Sequence, residues 1–395
     1  MNTIRTGIIG IGTIGSFHAK TVAKSNHMEL TAVCDIIPQR ADAAATRYDA
    51  RAFYTHTDLL NAGICDAIVI ATPHYSHTQI GIDALSAGMH VLVEKPLSVH
   101  KADCEKLIAM HRDASRVFAI MYNQRTDPYY QRIREYIHLG TLGHLKRINW
   151  IVTNWFRTDV YYRSSSWRAT WRGEGGGLLL NQCMHQLDLL HWLCGMPQTV
   201  RGFCGFGKYH DIEVEDEVTA VFAYENGASG VFVSSSGEFP GTNRLEITGN
   251  QGSILLEDNR LTVAIAGMSM RPFSSSSGTC FTIPDFETHE YSFAHHGGQH
   301  EEIMDNFVRA IHGETALIAP AHEGINAVEL ANAILYSALQ NDTVAVPLDS
   351  MKYQQCLETL IQNSSSPGKQ ARTEPEVYDD AYLETIRKQR WQSHK

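Results

Sequence analysis

Six residues near the amino terminus, Gly10-Ile11-Gly12-Thr13-Ile14-Gly15, constrain this chain more than any other stretch. They follow a short apolar run at residues 4–9 and open a segment of helical composition at 16–25. A G-x-G-x-x-G turn in that setting is a dinucleotide-binding fingerprint when an acidic residue stands about 20 positions further on. Asp35 stands 20 residues past Gly15, just after a second apolar run at 30–34. Gly10 permits the tight turn, Gly12 lets the backbone approach a pyrophosphate, and Gly15 lets the helix pack closely on the strand. The helix-opening residues Thr13 and Ile14 then turn their amides toward phosphate charge. Asp35 can accept hydrogen bonds from the adenosine ribose and repels a 2'-phosphate, which favours NAD over NADP. Arg40 keeps NADP open, because a guanidinium there could pair with that phosphate or stack on adenine; a solvated arginine in the first turn of a helix reads equally well.

The rest of the first 120 residues keeps the same rhythm. Short β-branched runs at 67–71, 90–93 and 117–120 alternate with helical stretches at 40–48, 77–87 and 101–113, which predicts a parallel sheet covered on both faces. The pattern changes near Tyr122. A helix at 129–139 is followed by strand-like runs at 217–224, 228–235, 244–249 and 253–257, joined by hairpin chemistry such as Glu225-Asn226-Gly227. The fold class expected is α/β: a doubly wound Rossmann domain over 1–122, an α+β domain with a large, mainly antiparallel open sheet over 123–363, and a polar tail over 364–395. Helices are expected at 301–311 and 323–340, the second packing back on the first domain. An open antiparallel face also suggests a homodimer or homotetramer.

Thirty-three Lys+Arg against 43 Asp+Glu give a net charge of −10, which argues against nucleic acid as a partner. No apolar run reaches the ~20 residues a membrane helix needs, and the amino terminus lacks a signal-peptide pattern. Eight scattered cysteines without a C-x-x-C pair suit reduced thiols in the cytoplasm.

Sites in doubly wound sheets lie beyond the carboxyl ends of the strands. There the chain carries Ala71-Thr72-Pro73-His74 with His77, and Glu94-Lys95-Pro96. Further on come Tyr122-Asn123-Gln124-Arg125, Trp167-Arg168, and Gly175-Gly176-Gly177 followed by His185 and Asp188. Together these motifs resemble the Gfo/Idh/MocA family over residues 4–362. The resemblance implies a nicotinamide-dependent oxidation of a secondary hydroxyl on a sugar, inositol or related polyol, with no metal. It implies cofactor contacts at Thr72, Pro73, His74, His77, Glu94, Lys95, Asn123, Trp167 and Arg168. It also implies Lys95 as the catalytic lysine and His185 as the catalytic histidine. Inositol-dehydrogenase-like members carry Asp four residues before that histidine, whereas this chain has Asn181.

The spacing of Asn181, His185 and Asp188 predicts one helical face. His185 would take the proton of the substrate hydroxyl, and Lys95 would stabilise the developing alkoxide. Asn181 would orient the hydroxyl or the imidazole, and Asp188 would hold its tautomer. An NAD-retaining glycosidase working by transient oxidation is the alternative, and a non-catalytic NAD-dependent sensor a third reading. Residues 154–172 hold Arg157, Arg163, Arg168 and Arg172 among aromatics including Tyr162 and Trp167. This cationic wall would line either the inter-domain seam or a pocket for an anionic sugar. His295-His296-Gly297-Gly298-Gln299-His300 matches no metal-ligand spacing and reads as a loop, with His300 facing substrate.

Overall fold

Ala67–Ile70 and His90–Val93 are buried at every residue, a pattern that a sheet covered on one face alone does not give. In the computed structural model both lie inside a six-stranded parallel sheet of order β3-β2-β1-β4-β5-β6. Its strands are β1 (Ile4–Ile9), β2 (Met28–Cys34), β3 (Arg51–Phe53), β4 (Ala67–Ile70), β5 (His90–Val93) and β6 (Phe118–Ile120). They are linked by α1 (Thr13–Lys24), α2 (Pro38–Tyr48), α3 (His56–Asn61), α4 (His74–Ser86) and α5 (Lys101–Met110). The strand order reverses between β1 and β4, so a crevice opens beyond their carboxyl ends. The structure describes residues 2–364 together with Glu384 and Thr385. Nearly all of the tail expected over 364–395 therefore lies outside the described residues.

After α6 (Pro128–His138) comes the first strand of a second sheet, β7 (Leu145–Val152). The single turn α7 (Asp159–Tyr162) and α8 (Met184–Cys194) precede β8 (Thr199–Phe206), β9 (Glu215–Ala223), β10 (Ser229–Ser235), β11 (Asn243–Gly249), β12 (Gly252–Glu257) and β13 (Arg260–Ala266). The chain continues through α9 (Met270–Ser276), β14 (Phe286–Tyr291), α10 (Gln299–Ile311), α11 (Gly324–Gln340), β15 (Val344–Ala345) and α12 (Ser350–Asn363). The nine strands order as β14-β13-β12-β11-β7-β10-β9-β8-β15, and only β7 and β10 pair in parallel.

Period-2 burial marks one face of this sheet as core: Ile148, Trp150 and Val152 on β7, and Val218, Ala220 and Phe222 on β9. Helix α11 lies close on β8, where a side chain at Gly202 would collide with the carbonyl oxygen of Ile334. It also reaches the first sheet unit. Its Glu329 pairs with Lys101 Nζ at 2.7 Å, and in the segment before the helix the carbonyl of Ala319 accepts from the amide of Ile120 at 3.0 Å. No helix among the described residues is long and apolar enough to cross a membrane.

The helix expected through Asn181 and His185 begins only at Met184. Before it, the glycine triplet is pinned as turns by Glu215, whose carboxylate accepts from the amides of Gly177 and Leu179 at 2.9–3.0 Å.

Candidate active site between the two sheets

The nucleotide end follows from backbone geometry. Gly10 has φ +93°, and a Cβ on Gly15 would strike its carbonyl oxygen. Gly12 is different, with nothing within 4 Å of where its Cβ would sit. Helix α1 has no side-chain cap and no acid in its first turn, so its positive end meets that open space uncompensated. Asp35 fixes the turn by accepting from the amide of Ile11 at 2.8 Å and from that of Ile37 at 2.9 Å. Its carboxylate keeps lone pairs for ribose hydroxyls. Arg40 is buried in the first turn of α2 beside Ile11 and Ser16, so it is not the solvated arginine that the sequence left open. The substitution Gly15→Ala is expected to weaken NADH binding by about tenfold or more, because helix and turn cannot both keep their places; unchanged affinity in a fluorescence titration would contradict this.

Beyond β4, Thr72 Oγ1 is buried without a hydrogen-bond partner among the described residues, and Pro73 caps α4. The His74 ring is buried edge-on to Trp167 at 5.5 Å, and burial together with the charges of His77, Lys95 and Arg168 holds it well below the usual imidazole range. His77 does not reach the crevice. Its fully buried ring sets Nδ1 and Nε2 each 2.8 Å from a carbonyl oxygen, those of Pro96 and Thr72, so it braces two strand-end loops rather than touching cofactor.

Glu94 is likewise held within the protein, with His18 Nε2 at 2.7 Å and the Lys95 amide at 3.1 Å. Burial pushes its carboxyl up, but His18, His300 and Lys95 outweigh that and bring it down to about 2.

A second group of the residues expected at the site comprises Lys95, Asn181, His185, Asn123 and His300. Lys95 Nζ donates to the backbone carbonyl of Asn181 at 2.8 Å. His185 opens α8 with its ring 6.2 Å from that of Tyr122. Its Nδ1 is buried without a partner among the described residues. Burial, then the charge of Lys95, drive its pKa down to about 3, so the imidazole is neutral throughout the ordinary pH range. Asn123 donates to Gln299 Oε1 at 2.6 Å while its Oδ1 is unpartnered among the described residues, and the His300 ring packs 5.7 Å from His18.

Asp188 does not hold the His185 tautomer. Its two oxygens take Arg125 bidentately at 2.6 and 2.9 Å, with His191 at 3.1 Å, and the pair is sealed from solvent.

The cationic wall divides. Arg157 lies over Trp155 and Tyr161, and Arg168 over Tyr161 and Trp167. Arg163 is exposed. Arg172 instead reaches the carbonyl of Ile361 in α12 at 3.2 Å, which commits it to the outer packing. Tyr162 is buried with its hydroxyl 2.7 Å from Ser236 Oγ, which makes it a support of the wall and not part of its surface.

Four residues that shape this site escaped the sequence reading: Glu174, Glu215, Arg125 and His18. Glu174 carried a signal, since an acid inside Gly173-Glu174-Gly175-Gly176-Gly177 has no helical or strand purpose. Arg125 sat in a motif already noted. Glu215 had none, being one of four acids within Glu213-Val214-Glu215-Asp216-Glu217.

The open side of Gly12, the uncapped start of α1, and the unpartnered Thr72 Oγ1 and Asn123 Oδ1 fit a dinucleotide laid along the crevice. Comparison with known proteins agrees. Residues 4–122 match the oxidoreductase family with an NAD-binding Rossmann fold, and residues 130–255 match the GFO/IDH/MocA C-terminal domain. Inositol 2-dehydrogenase of Salmonella typhimurium is 29% identical over 195 residues, 48% of this chain and 54% of that protein, so the chain spans about half the length of that relative. Inositol 2-dehydrogenase of Rhizobium meliloti is 23% identical over 87% of this chain and 99% of its own. The WlbA dehydrogenase of Bordetella pertussis, solved with NADH and UDP-GlcNAcA, superposes with a TM-score of 0.74 at 27% identity, covering 88% of this chain and 100% of that one. With both family domains matched in order along one chain, and with a six-stranded parallel sheet followed by a nine-stranded mixed one, this protein belongs to the Gfo/Idh/MocA family of NAD-binding oxidoreductases.

Proposed function

We propose that this protein oxidises a secondary hydroxyl of a sugar, sugar derivative or polyol with NAD. The observation that carries the reading is the meeting of a lysine from the first sheet unit with a neutral histidine from the second. Lys95 Nζ is bonded to the carbonyl of Asn181, and its charge is felt at His185. Bound NAD, held by the Gly10–Gly15 turn, Asp35, Thr72 and Asn123, would supply the acceptor for the hydride. His185 takes the hydroxyl proton, Lys95 donates a hydrogen bond to the same oxygen as negative charge grows on it, and Asn181 orients the hydroxyl. Under this division residues 1–122 carry the cofactor, joined by Asn123 just past their end, and 123–363 the substrate.

The named relatives are dehydrogenases, which favours net oxidation over the hydrolytic alternative. The paired Arg157 and Arg168 against aromatic rings support a substrate with an anionic substituent. WlbA, solved with UDP-GlcNAcA, offers a nucleotide-linked example. The test is a panel of neutral, uronic and nucleotide-linked sugars and polyols with NAD, following NADH. Turnover of at least one supports the reading; release of an aglycone without NADH would replace it with the hydrolytic one.

Eight free cysteines support a reducing, cytoplasmic setting. The uncovered sheet face, where Ile151, Phe203 and Val221 are exposed, supports a homodimer or homotetramer through that face. The variant Val221→Arg is expected to shift the protein toward monomer in light scattering, and an unchanged mass would argue against that face.

A further inference from the structure

Position 181 is an amide, and an amide presents a donor on one prong and an acceptor on the other. Which prong meets a substrate depends on what holds the other. Glu174 decides this. It is 2% exposed, its Oε2 accepts from the amide of Ala169 at 2.6 Å, and its Oε1 accepts from Asn181 Nδ2. Both carboxylate oxygens are thus filled by donors, and the Asn181 nitrogen is drawn toward the interior. Asn181 Oδ1 is left on the opposite prong of a part-exposed residue, with no hydrogen bond among the described residues.

We propose that Glu174 is a positioning residue: by holding the Asn181 nitrogen it presents Oδ1 as an acceptor for a substrate hydroxyl, so that Glu174 and Asn181 together act as one carboxylate at position 181 would. The inference rests on the dehydrogenase reading. It also specifies the site's preference, since an outward acceptor suits an alcohol O–H and opposes a carbonyl oxygen.

The chemistry supplies a direct test, read as kcat/KM with NAD on the panel sugar that the wild type oxidises fastest. In Glu174→Gln the side chain has one acceptor and one donor for two donors, Ala169 N–H and the Asn181 NH₂. If its oxygen stays with Ala169, its NH₂ faces Asn181 and turns that amide over, so a donor now points outward. The expected loss in kcat/KM is about 100-fold, the scale of an unpaired polar contact in the transition state. In the double variant Glu174→Gln/Asn181→Asp every group is matched again. The introduced glutamine accepts from Ala169, its NH₂ donates to one oxygen of the introduced carboxylate, and the other oxygen of that carboxylate faces outward. The double variant should recover to within about fivefold of wild type. NADH binding, followed by fluorescence, should be unchanged in both.

A second readout does not depend on the fold of the glutamine variant. In Asn181→Asp alone two carboxyls face each other, so they share a proton and one ionises only at raised pH. Arg168 and Lys95 act on Glu174 as cations, Glu215 as a like charge, and the His74 ring contacts its carbonyl oxygen. Activity of this variant should fall as pH rises through that raised ionisation, while wild type stays level over the same range. A Glu174→Gln variant within threefold of wild type, a double variant no better than the single one, or a level pH profile for Asn181→Asp would each overturn the proposal. An inactive wild type sinks the dehydrogenase reading and this proposal with it; an active wild type with unresponsive Glu174 variants sinks the proposal alone.

Discussion

His185→Ala is expected to lower kcat/KM on the sugar substrate by about 10²–10⁴-fold, the range for loss of a positioned general base. Lys95→Ala should cost about 10²–10³-fold, as for removal of one donor to a developing oxyanion. Both should retain NADH binding, because neither side chain belongs to the glycine turn. The pH profile separates the histidine's role from a structural one. Burial and the neighbouring ammonium of Lys95 bring His185 down to about 3, whereas an ordinary histidine titrates near 6.5. The neutral ring is the proton acceptor, and a lowered pKa extends that form to lower pH. Therefore kcat/KM should remain level from about pH 7 to about pH 5.

The depressed basicity also has a cause that the reaction removes. As the substrate oxygen gains negative charge it offsets Lys95, and His185 becomes a better base as the proton leaves. In Lys95→Ala the imidazole loses that cationic neighbour while burial, the larger cause, remains, so its ionisation should move upward from about 3 and stay below the ordinary histidine value. Normal turnover by either alanine variant, or a wild-type profile halved near pH 6.5, would remove these assignments.

The cofactor half was legible because it depends on local chemistry. A turn that needs Gly10 at positive φ, a helix start without a cap, and an acid at Asp35 are all written within 35 residues. Strand β3 and helix α3 were not legible, since three residues at a sheet edge, only one of them buried, leave no periodic trace. Strand β7 was hidden for another reason: Lys146 and Arg147 are exposed at its start, and only Ile148, Trp150 and Val152 alternate into the core. At the site itself the sequence indicated Lys95 and His185 but misjudged their neighbours. The i, i+4, i+7 spacing assumed a helix through Asn181, and the glycine triplet held by Glu215 prevents one. Likewise His77 and Arg172 stand in site-like motifs, yet their partners are backbone carbonyls of other segments, and no local pattern encodes such contacts.

Asp188 shows how much that difference matters, because its geometry predicts an effect on stability and not on chemistry. Arg125 and Asp188 form a bidentate pair with side chains at most 1% exposed, and Arg125 Nη1 also reaches Glu323 at 2.5 Å. The guanidinium thereby ties the short segment after β6 to α8, which carries His185, and to the start of α11. Burial opposes the charge on each member, and the charge of the partner outweighs it, holding Asp188 below and Arg125 above their usual ranges. A buried pair of this kind adds little over an apolar substitute, but removing one member strands the other. Arg125→Met is therefore expected to lower the unfolding free energy by about 3–5 kcal/mol, read from denaturant midpoints. The double variant Arg125→Met/Asp188→Leu should recover much of that loss, since the buried pair is replaced by apolar groups.

The neutral Asp188→Asn variant separates the two roles. A residue that held the His185 tautomer would lose kcat on becoming neutral while unfolding normally. With its oxygens on Arg125 and His191, Asp188→Asn should instead unfold at a clearly lower denaturant concentration, yet turn over at close to the wild-type rate below that midpoint. Wild-type stability combined with a kcat reduced a hundredfold or more would return Asp188 to the catalytic group and remove its structural role.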